Sequence, residues 1–563
     1  MTTPAKPVAS AICALAAASA LSGQTEAAPA ASPARSPKAL VIMLDGQRGD
    51  TIDNGLSPNL RRLADGEWQP GYKGAWSLWA STIRDGTTES SPNHVAIATG
   101  MTVAKTGIDW NPDLIAHPTD EAKLPTWLTR LVRKRAGTKA LFITAWKTDL
   151  HISPSHDVKI VMDREEECPK DLVKILSEPG APDAIMWYCG VPDEAGHAHG
   201  YYPYSDEYRA TVGEADGWVG EVLSAIAARP TFDEEDWFFA VTADHGGWER
   251  CHGQRSTACY SIPLLLAGRH VEQGRMPGVP HNYDIAPTVL AHFGVDVSGI
   301  DFDGRVRGQD APAAPSGRAI DDGLAVYLPF DGDSANKGAS GVAARLRGAA
   351  EPIQDGAFGG ALRVSASPRA AGSVLLEGSE RLSFENHGEF AFAAWIRVQG
   401  PQEGSPVVFA NKDWSDATHP GVAFAASQGV DMSRVYPAHY DYKKRGNHRD
   451  FMFNCGRKGA KREDLGVYKP PYGQWAFYAA TRGPDGVARF YQGCPDGTFY
   501  CVGDDLSDIA FETGLPISIG QDGTGSVPDA FVGDIDEFAV WTRALDHEEV
   551  RRVFNGALRG DRQ

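Results

Sequence analysis

The chain has 563 residues, enough for two to four domains. Its 73 acidic and 54 basic side chains give a formal net charge of −19, and this balance excludes a general nucleic-acid-binding protein, which needs a basic face. Hydrophobic residues make up 42% and charged residues 23% of the chain, which is typical of globular proteins. After the N-terminal segment no stretch approaches about 18 apolar residues, so we do not expect an integral membrane protein.

The first thirty residues have the pattern of a secretory signal peptide. Lys6 precedes an apolar run at 8–21, and Ala28-Pro29-Ala30 has the small residues of a cleavage site. The run is short and rich in alanine, which does not suit a membrane span. The alternative is a disordered N terminus. We therefore predict that residues 1–30 are a signal peptide and that the protein is exported, to the periplasm or the extracellular space.

Residues 38–308 alternate between short apolar runs and helical patterns. Strands are predicted at 39–44, 140–145, 184–189, 238–242 and 262–267, and helices at 124–135, 171–176, 208–228 and 285–293. Several of these strands are apolar at nearly every residue, as strands buried on both faces must be. The alternation predicts an α/β domain with a mostly parallel sheet, whose active site lies at the carboxyl ends of the strands.

A short segment rich in proline and alanine, within 309–320, predicts a semi-rigid linker. In residues 321–560 the pattern changes to many short strands separated by Gly, Pro and Asp turns. These strands are predicted at 326–330, 390–398, 407–410, 475–481, 489–491, 517–520 and 538–541. This pattern is typical of an all-β antiparallel sandwich.

Polar residues follow three of the predicted strands in the first half of the chain. They are three aspartates and three histidines: Asp45 after the first strand, Asp193 and His197 after the third, Asp244 and His245 after the fourth, and His252 soon afterwards. Asp and His together are typical zinc ligands, and carboxylates also suit manganese. One aspartate after a strand is commonly a turn or cap residue, but six such residues after three strands favour a metal site.

Ser90 is a candidate nucleophile between the first two predicted strands. Pro92 favours a helix start here, and such a helix would direct its N-terminal dipole, which binds oxyanions, at Ser90. A divalent metal can activate a serine hydroxyl. The alternative is that Ser90 and Ser91 only cap the helix.

Together these residues resemble the alkaline phosphatase superfamily, and within it the type I phosphodiesterase/nucleotide pyrophosphatase group. The matching motifs are Asp45-Gly46, Ser90 two places before Pro92-Asn93-His94, Asp193 to His197, Asp244-His245-Gly246, and His252. In that group an asparagine about twenty residues after the nucleophile contacts the phosphoryl group, and Asn111 stands at this distance from Ser90.

The resemblance implies two divalent metal ions, zinc or manganese. One would be held by Asp193, His197 and His252, and the other by Asp45, Ser90, Asp244 and His245. His199 is an alternative to His252, and we interpret His94 as structural.

The resemblance also implies the reaction. Ser90 would attack phosphorus, Asn111 would stabilise the charged oxygens, and water would hydrolyse the phosphoserine. The predicted activity is therefore that of an exported phosphodiesterase or phosphatase, acting on a small-molecule or glycan-linked phosphate ester.

A sulfatase of the same superfamily is the nearest alternative. Ser90-Ser91-Pro92 is similar to the start of the sulfatase motif, but that motif needs an arginine two places after the proline, where this chain has His94. The sulfatase pattern also has an Asp-Asn pair at a single metal ion, whereas this chain has Asp244-His245 at the corresponding place. Both differences favour phosphoryl transfer.

Residues 321–560 resemble laminin G-like, concanavalin A-like jelly-roll domains, through the strand patterns at 390–397, 473–478 and 533–538. Such domains bind carbohydrate or protein ligands, or only pack against an enzyme, so a glycan-binding protein with a secondary hydrolase domain is a further alternative. Three acidic residues could bind calcium or serve as turn carboxylates: Asp331, Asp333 and Asp536. Because no catalytic constellation follows the linker, we expect this part to fold on its own and to be dispensable for hydrolysis of small substrates.

Overall fold

The computed structural model describes residues 35–560, except 121, 153–157, 202–204, 248–249, 254–256, 314, 366–370, 386–387, 401–405, 417–418, 427–450, 457–462, 468–471, 496, 498, 506–510 and 527–530. The predicted signal peptide lies outside the described residues. Within them, every helix is too short or too polar to cross a membrane.

The first part of the chain forms one eight-stranded sheet in the order β4-β3-β5-β1-β6-β7-β2-β8. Its strands are β1 (Ser36–Leu44), β2 (Lys73–Ser81), β3 (Ala140–Thr144), β4 (Val158–Met162), β5 (Ala184–Cys189), β6 (Glu235–Thr242), β7 (Ser261–Gly268) and β8 (Gly274–Arg275). Strand β1 lies parallel between β5 and β6, whereas β7 is antiparallel to both of its neighbours. The predicted mostly parallel sheet is confirmed, and of these eight strands β7 alone runs against the others.

Helices cover this sheet, and the four predicted ones are present as α6, α7, α9 and α11. The helices are α1 (Asp50–Asp53), α2 (Pro58–Ala64), α3 (Ser90–Thr99), α4 (Val103–Thr106), α5 (Asn111–Ala116), α6 (Trp127–Lys134), α7 (Cys168–Ser177), α8 (Val191–His199), α9 (Asp206–Ala227), α10 (Thr257–Tyr260) and α11 (Ile285–His292). Thr126 caps α6 by accepting a hydrogen bond from the Thr129 N–H, which explains why the helix begins later than the apolar pattern indicated.

The second part of the chain contains two antiparallel sheets, which confirms the predicted sandwich. One has the order β10-β13-β22-β15-β16-β17-β18 and the other β11-β12-β23-β14-β19-β20-β21, with β9 paired to β23. The strands are β9 (Leu324–Leu328), β10 (Ala343–Arg347), β11 (Ala350–Ile353), β12 (Ala361–Val364), β13 (Ser373–Glu377), β14 (Phe390–Val398), β15 (Val407–Ala410), β16 (Gly421–Ala426), β17 (Phe451–Gly456), β18 (Glu463–Val467), β19 (Trp475–Arg482), β20 (Val487–Gly493), β21 (Phe499–Asp505), β22 (Ile517–Ile519) and β23 (Gly533–Trp541). A final helix, α12 (His547–Phe554), follows β23.

Apolar side chains from both sheets fill the sandwich. The ring of Phe392 on β14 lies 4.0 Å from that of Phe409 on β15, and 5.8 Å from that of Phe538 on β23. All three rings are buried in one cluster. The inner faces of the two sheets therefore share one core.

The two parts of the chain also share a core with each other. One buried cluster contains Trp79 of β2 together with Tyr491 and Phe499 of the sandwich. The guanidinium of Arg489 lies 4.6 Å from the centre of the Trp79 ring. A chain cut at the linker would expose these apolar side chains to water, which runs against the expectation that residues 321–560 fold on their own.

The linker contacts both parts. The Ala313 N–H donates to the Arg275 carbonyl in the first part, and the Ser316 N–H donates to Asp546 in the second, both at 2.8 Å. Its backbone is thus held at two points.

The three carboxylates suggested for calcium are engaged with protein groups. Asp331 lies 3.1 Å from Arg559, and Asp333 lies 3.3 Å from Lys337. Asp536 is buried, accepts the Glu537 N–H at 2.7 Å, and has a pKa that burial raises to about 7. The groups of ligand atoms close enough to hold one ion, among the residues that the structure describes, do not include these three. Their placement gives the calcium prediction no support, because each side chain already has a protein partner.

Candidate active site

The sheet order brings the predicted ligands together at one edge. Asp45 directly follows β1, and Asp244 and His245 follow β6 after one intervening residue. Helix α8, which begins just after β5, carries Asp193 and His197. Since β5, β1 and β6 are neighbours and parallel, their carboxyl ends place these side chains around one point.

One group of ligand atoms consists of Asp193, His245 and His252, whose atoms all lie within 4.8 Å of one another. His197 extends this group, since its Nε2 lies 3.1 Å from Nε2 of His252 and 3.4 Å from Oδ2 of Asp193. The His197 side chain is 46% exposed, so the group opens to solvent on that side. An open side is what a catalytic metal site needs for water and substrate.

A second group consists of Asp45, His94 and Asp244. Nε2 of His245, a member of the first group, lies 3.2 Å from Oδ1 of Asp45 and 3.2 Å from Oδ2 of Asp244, so this ring lies between the two groups. The structure therefore brings together all six predicted Asp and His ligands. It adds His94, and it does not add His199, whose Nδ1 lies 3.8 Å from Glu207.

The three predicted histidine ligands share one hydrogen-bond pattern. In each, Nδ1 faces a backbone carbonyl: Gly246 at 2.7 Å from His245, Thr88 at 2.9 Å from His252, and Arg250 at 2.9 Å from His197. A carbonyl oxygen can only accept, so Nδ1 carries a proton and Nε2 is the nitrogen that faces the centre of the site. This is the orientation that a metal-binding imidazole needs.

The buried charges of the site also fit divalent metal ions. Oδ1 of Asp45 is buried without a hydrogen-bond donor, so this oxygen has its lone pairs available for an ion. Burial acts to raise the pKa of the Asp244 carboxyl, but His245 and His94 outweigh burial and hold it below its ordinary value. Burial and the neighbouring His245 lower the pKa of His252, which keeps that ring neutral. Burial acts to lower the pKa of His245, but Asp244 and Asp45 outweigh burial and hold it well above its ordinary value, so a metal ion at this ring would displace a proton.

Ser90 is the first residue of α3, and its Oγ lies 3.2 Å from Nε2 of His245. Pro92 stands in the first turn of this helix, as predicted, and Glu89 occupies the N-cap position before Ser90. The helix has no side-chain cap hydrogen bond, so neither serine acts as its cap. The Ser90 hydroxyl thus lies at the helix N terminus and beside the ligand groups.

Asn111 lies next to the two serines. Its Oδ1 accepts a hydrogen bond of 2.8 Å from the Ser91 N–H, which fixes the side-chain amide at the start of α3. Asn111 begins α5, and Asp109 just before it accepts a hydrogen bond of 2.7 Å from the N–H of the buried Thr87, which precedes α3.

Gly46 is required by the close packing of the ligand loops. Its N–H donates to Oδ1 of Asp244 at 3.1 Å, and its φ of +68° is the left-handed conformation that favours glycine. A Cβ at this position would lie 2.8 Å from Cα of Asp193. The Asp-Gly motif therefore lets two ligand-bearing segments approach each other.

Two tyrosines that the sequence analysis did not single out hold predicted ligands. Tyr188, near the end of β5, donates its hydroxyl to Oδ2 of Asp45 at 2.9 Å, and Tyr201, which follows α8, donates to Oδ1 of Asp193. Both rings are buried. Tyr188 belongs to an apolar strand run and Tyr201 has no motif, so only the fold reveals these contacts.

Comparisons with known families agree with both halves of the sequence analysis. Residues 39–256 match the family model described as type I phosphodiesterase/nucleotide pyrophosphatase. Residues 370–551 match the model of the concanavalin A-like lectin/glucanases superfamily. Among curated proteins none matches the chain.

Three solved structures with similar folds each cover a part of this chain. Mouse ectonucleotide pyrophosphatase/phosphodiesterase 5, as an inactive variant in complex with AMP, has 15% identity, covers 46% of this chain and 96% of its own, and gives a TM-score of 0.37. A 2-O GAG sulfatase has 12% identity, covers 62% of this chain and 86% of its own, and gives 0.40. The binding domain of botulinum neurotoxin serotype C1 has 14% identity, covers 42% of this chain and 53% of its own, and gives 0.31.

The two family matches confirm the resemblance that the motifs predicted, the first within the α/β part of the chain and the second within the β-sandwich. The N-terminal part of the chain is similar to the type I phosphodiesterase/nucleotide pyrophosphatase family of hydrolases, and its C-terminal part is similar to the concanavalin A-like superfamily.

Proposed function

We propose that the protein is an exported hydrolase of phosphate esters that uses Ser90 as its nucleophile and two divalent metal ions, zinc or manganese. The observation that carries this proposal is the position of the Ser90 hydroxyl. It lies at the N terminus of α3 and 3.2 Å from Nε2 of His245, a member of the first group of ligand atoms that also lies beside Asp45 and Asp244 of the second. The match of residues 39–256 to a phosphodiesterase family supports the same reaction class.

The residues divide into two metal-binding sets. Asp193, His197 and His252 would hold one ion, and Asp45, Ser90, Asp244 and His245 would hold the other. When bound, such ions lower the pKa of a hydroxyl or a water and neutralise charge on the phosphoryl oxygens.

The reaction has two steps. In the first, Oγ of Ser90 forms a bond to phosphorus while the bond from phosphorus to the leaving oxygen breaks; the serine proton passes to solvent, and the leaving oxygen takes one up. In the second, water forms a new bond to phosphorus, the Oγ–phosphorus bond breaks, and Ser90 regains a proton. The Asn111 side chain is held at the start of α3, where its amide nitrogen would donate to the phosphoryl oxygens, and the helix N terminus would favour their negative charge.

A panel of chromogenic esters tests this proposal. The metal-reconstituted protein is assayed with a phosphate monoester, a phosphate diester and a sulfate monoester that share one aryl leaving group. The proposal expects turnover of at least one phosphate ester and far slower turnover of the sulfate. Turnover of the sulfate alone would favour the sulfatase and contradict the proposal.

Export and the role of the C-terminal part need their own tests. Expression of the full chain followed by N-terminal sequencing of the secreted product should find cleavage near Ala30. The concanavalin A-like match supports a carbohydrate or protein ligand for residues 370–551. A glycan array probed with the Ser90→Ala protein would identify such a ligand without turnover.

A further inference from the structure

His94 occupies a position that none of the proposed ligands shares. It is fully buried on α3, one helical turn after Ser90. Its Nδ1 lies 2.7 Å from Oδ1 of Asp149, and its Nε2 lies 3.2 Å from Oδ2 of Asp244. The ring therefore joins a carboxylate outside the metal-binding sets to a carboxylate inside one of them.

Asp149 is itself fixed by its surroundings. It lies in the 3-10 helix Lys147–His151, its side chain is fully buried, and its Oδ2 accepts a hydrogen bond of 2.8 Å from the Thr144 hydroxyl. Thr144 ends β3, two strands away from β1 in the sheet. A chain of contacts thus runs from the end of β3 through Asp149 and His94 to Asp244.

Aromatic rings hold the imidazole in place from the sides. The Trp146 ring meets His94 edge to face at 5.2 Å, and the Tyr188 ring lies 5.3 Å away. With an acceptor at each nitrogen and rings at its sides, His94 has one orientation available.

His94 differs in this respect from His197, His245 and His252. Each of those rings has a carbonyl at Nδ1 and points Nε2 toward the centre of the site. His94 instead has a carboxylate facing each nitrogen. The other oxygen of Asp244 accepts the N–H groups of Gly46 and His245, so the Asp244 carboxylate is held at both oxygens.

We propose that Asp149 and His94 are positioning residues: Asp149 orients His94, and His94 orients the Asp244 carboxylate toward the metal ion that Asp244 binds. The proposal rests on the proposed function for its metal ion, and it replaces our interpretation of His94 as merely structural. Partners of this kind typically contribute about 10–100-fold to metal affinity.

The test uses cobalt(II), whose d–d absorption reports the geometry of its ligands. Stoichiometry, dissociation constants and spectra are measured for the full-length wild-type protein and for Asp149→Asn, His94→Leu and His94→Gln. Thr99→Val is the matched control, because Thr99 is buried on the same helix and donates only to the Val95 carbonyl. Thermal unfolding of each metal-free variant separates folding effects from metal binding.

We expect Asp149→Asn and His94→Leu to keep two cobalt equivalents, to weaken one of them about 10–100-fold, and to change its spectrum. The glutamine amide can donate to Asp244, so His94→Gln should recover part of the affinity lost in His94→Leu. Thr99→Val should match the wild type in both readouts.

Three outcomes would overturn the inference. The first is loss of one whole cobalt equivalent in His94→Gln, which would make His94 a ligand. The second is unchanged cobalt affinity and spectrum in Asp149→Asn and His94→Leu, and the third is a wild-type protein that binds no cobalt. A wild-type protein that binds two cobalt ions and shows the expected variant effects, but hydrolyses no phosphate ester, would contradict the proposed function alone.

Discussion

His547 Nε2 lies 2.9 Å from Oδ2 of Asp53, and this contact joins the last helix of the chain to the first. Arg551, one turn further along α12, donates to the same carboxylate oxygen. Asp53 ends α1, which begins five residues after Asp45, one of the proposed metal ligands. The C-terminal part is therefore attached to the segment that follows Asp45.

Replacing Asp53 should destabilise the whole chain. The Asp53→Asn change leaves the buried His547 and the half-buried Arg551 without their carboxylate, and breaking a buried ion pair in this way costs about 3 kcal/mol. Urea unfolding measures this loss. Lys337→Gln is the control, because its exposed pair with Asp333 should cost less than about 1 kcal/mol. Equal losses in the two variants would show that the Asp53 contacts do not hold the parts together.

The same carboxylate should make stability depend on acid pH. Burial acts to raise the pKa of Asp53, but His547, Arg551 and Arg61 outweigh burial and hold it below its ordinary value of 3.8. A depressed carboxyl pKa contributes stability that is present above the ordinary value and lost as the pH falls through the folded value. The difference in unfolding free energy between wild type and Asp53→Asn should therefore shrink below about pH 4. A difference that stays constant down to pH values below the folded pKa would contradict this assignment.

Tyr188→Phe should weaken metal binding without unfolding the protein. The change removes the hydroxyl that donates to Asp45 and leaves the ring packing in place. By analogy with other groups that orient metal ligands, the loss in metal affinity should be about tenfold. Tyr327→Phe is the control, because it removes a similar bond to the buried Glu537 in the sandwich, far from the site. Titration of both variants with zinc measures the effect, and equal affinities would argue against a role for Tyr188.

Removal of metal should abolish turnover in a reversible way. The donor sets predict two equivalents of tightly bound transition metal per chain by elemental analysis. Dialysis against a chelator should remove both metal and activity, and zinc or manganese should restore them. Full activity in protein shown to be free of metal would rule out the metal-dependent mechanism.

The sequence predicts the central sheet well because buried parallel strands are recognisable as apolar runs, and the ligand residues stand directly after them. In that sheet it misses β2, which carries Trp76 and Trp79 in a run interrupted by serines, and the shorter β4 and β8. In the sandwich it misses several strands, among them β10 and β11, which are mostly exposed and lack a buried stripe. Asp149 and Tyr188 could not be identified either. Their roles arise from contacts across the sheet, and no local spacing records such contacts.

The sequence also does not predict that the α/β part packs against the β-sandwich. The linker composition indicates separate folding units, but composition says nothing about which surfaces meet. Trp79 and Arg489 are 410 positions apart in the chain, and only the folded arrangement places one over the other.

The identity of the nucleophile is the central claim, and two adjacent serines make it testable. Ser90→Ala should leave the fold intact and abolish turnover, since the attacking oxygen is removed. Ser91→Ala is the matched control. The Ser91 hydroxyl is buried without a hydrogen bond, so its removal should cost little, while the backbone N–H that donates to Asn111 remains.

The most direct measurement is to trap the enzyme with substrate at low pH and map the phosphorylated peptide by mass spectrometry. The account predicts phosphate on Ser90, and no phosphate in the Ser90→Ala protein. Phosphate on Ser91, or a fully active Ser90→Ala protein, would contradict it.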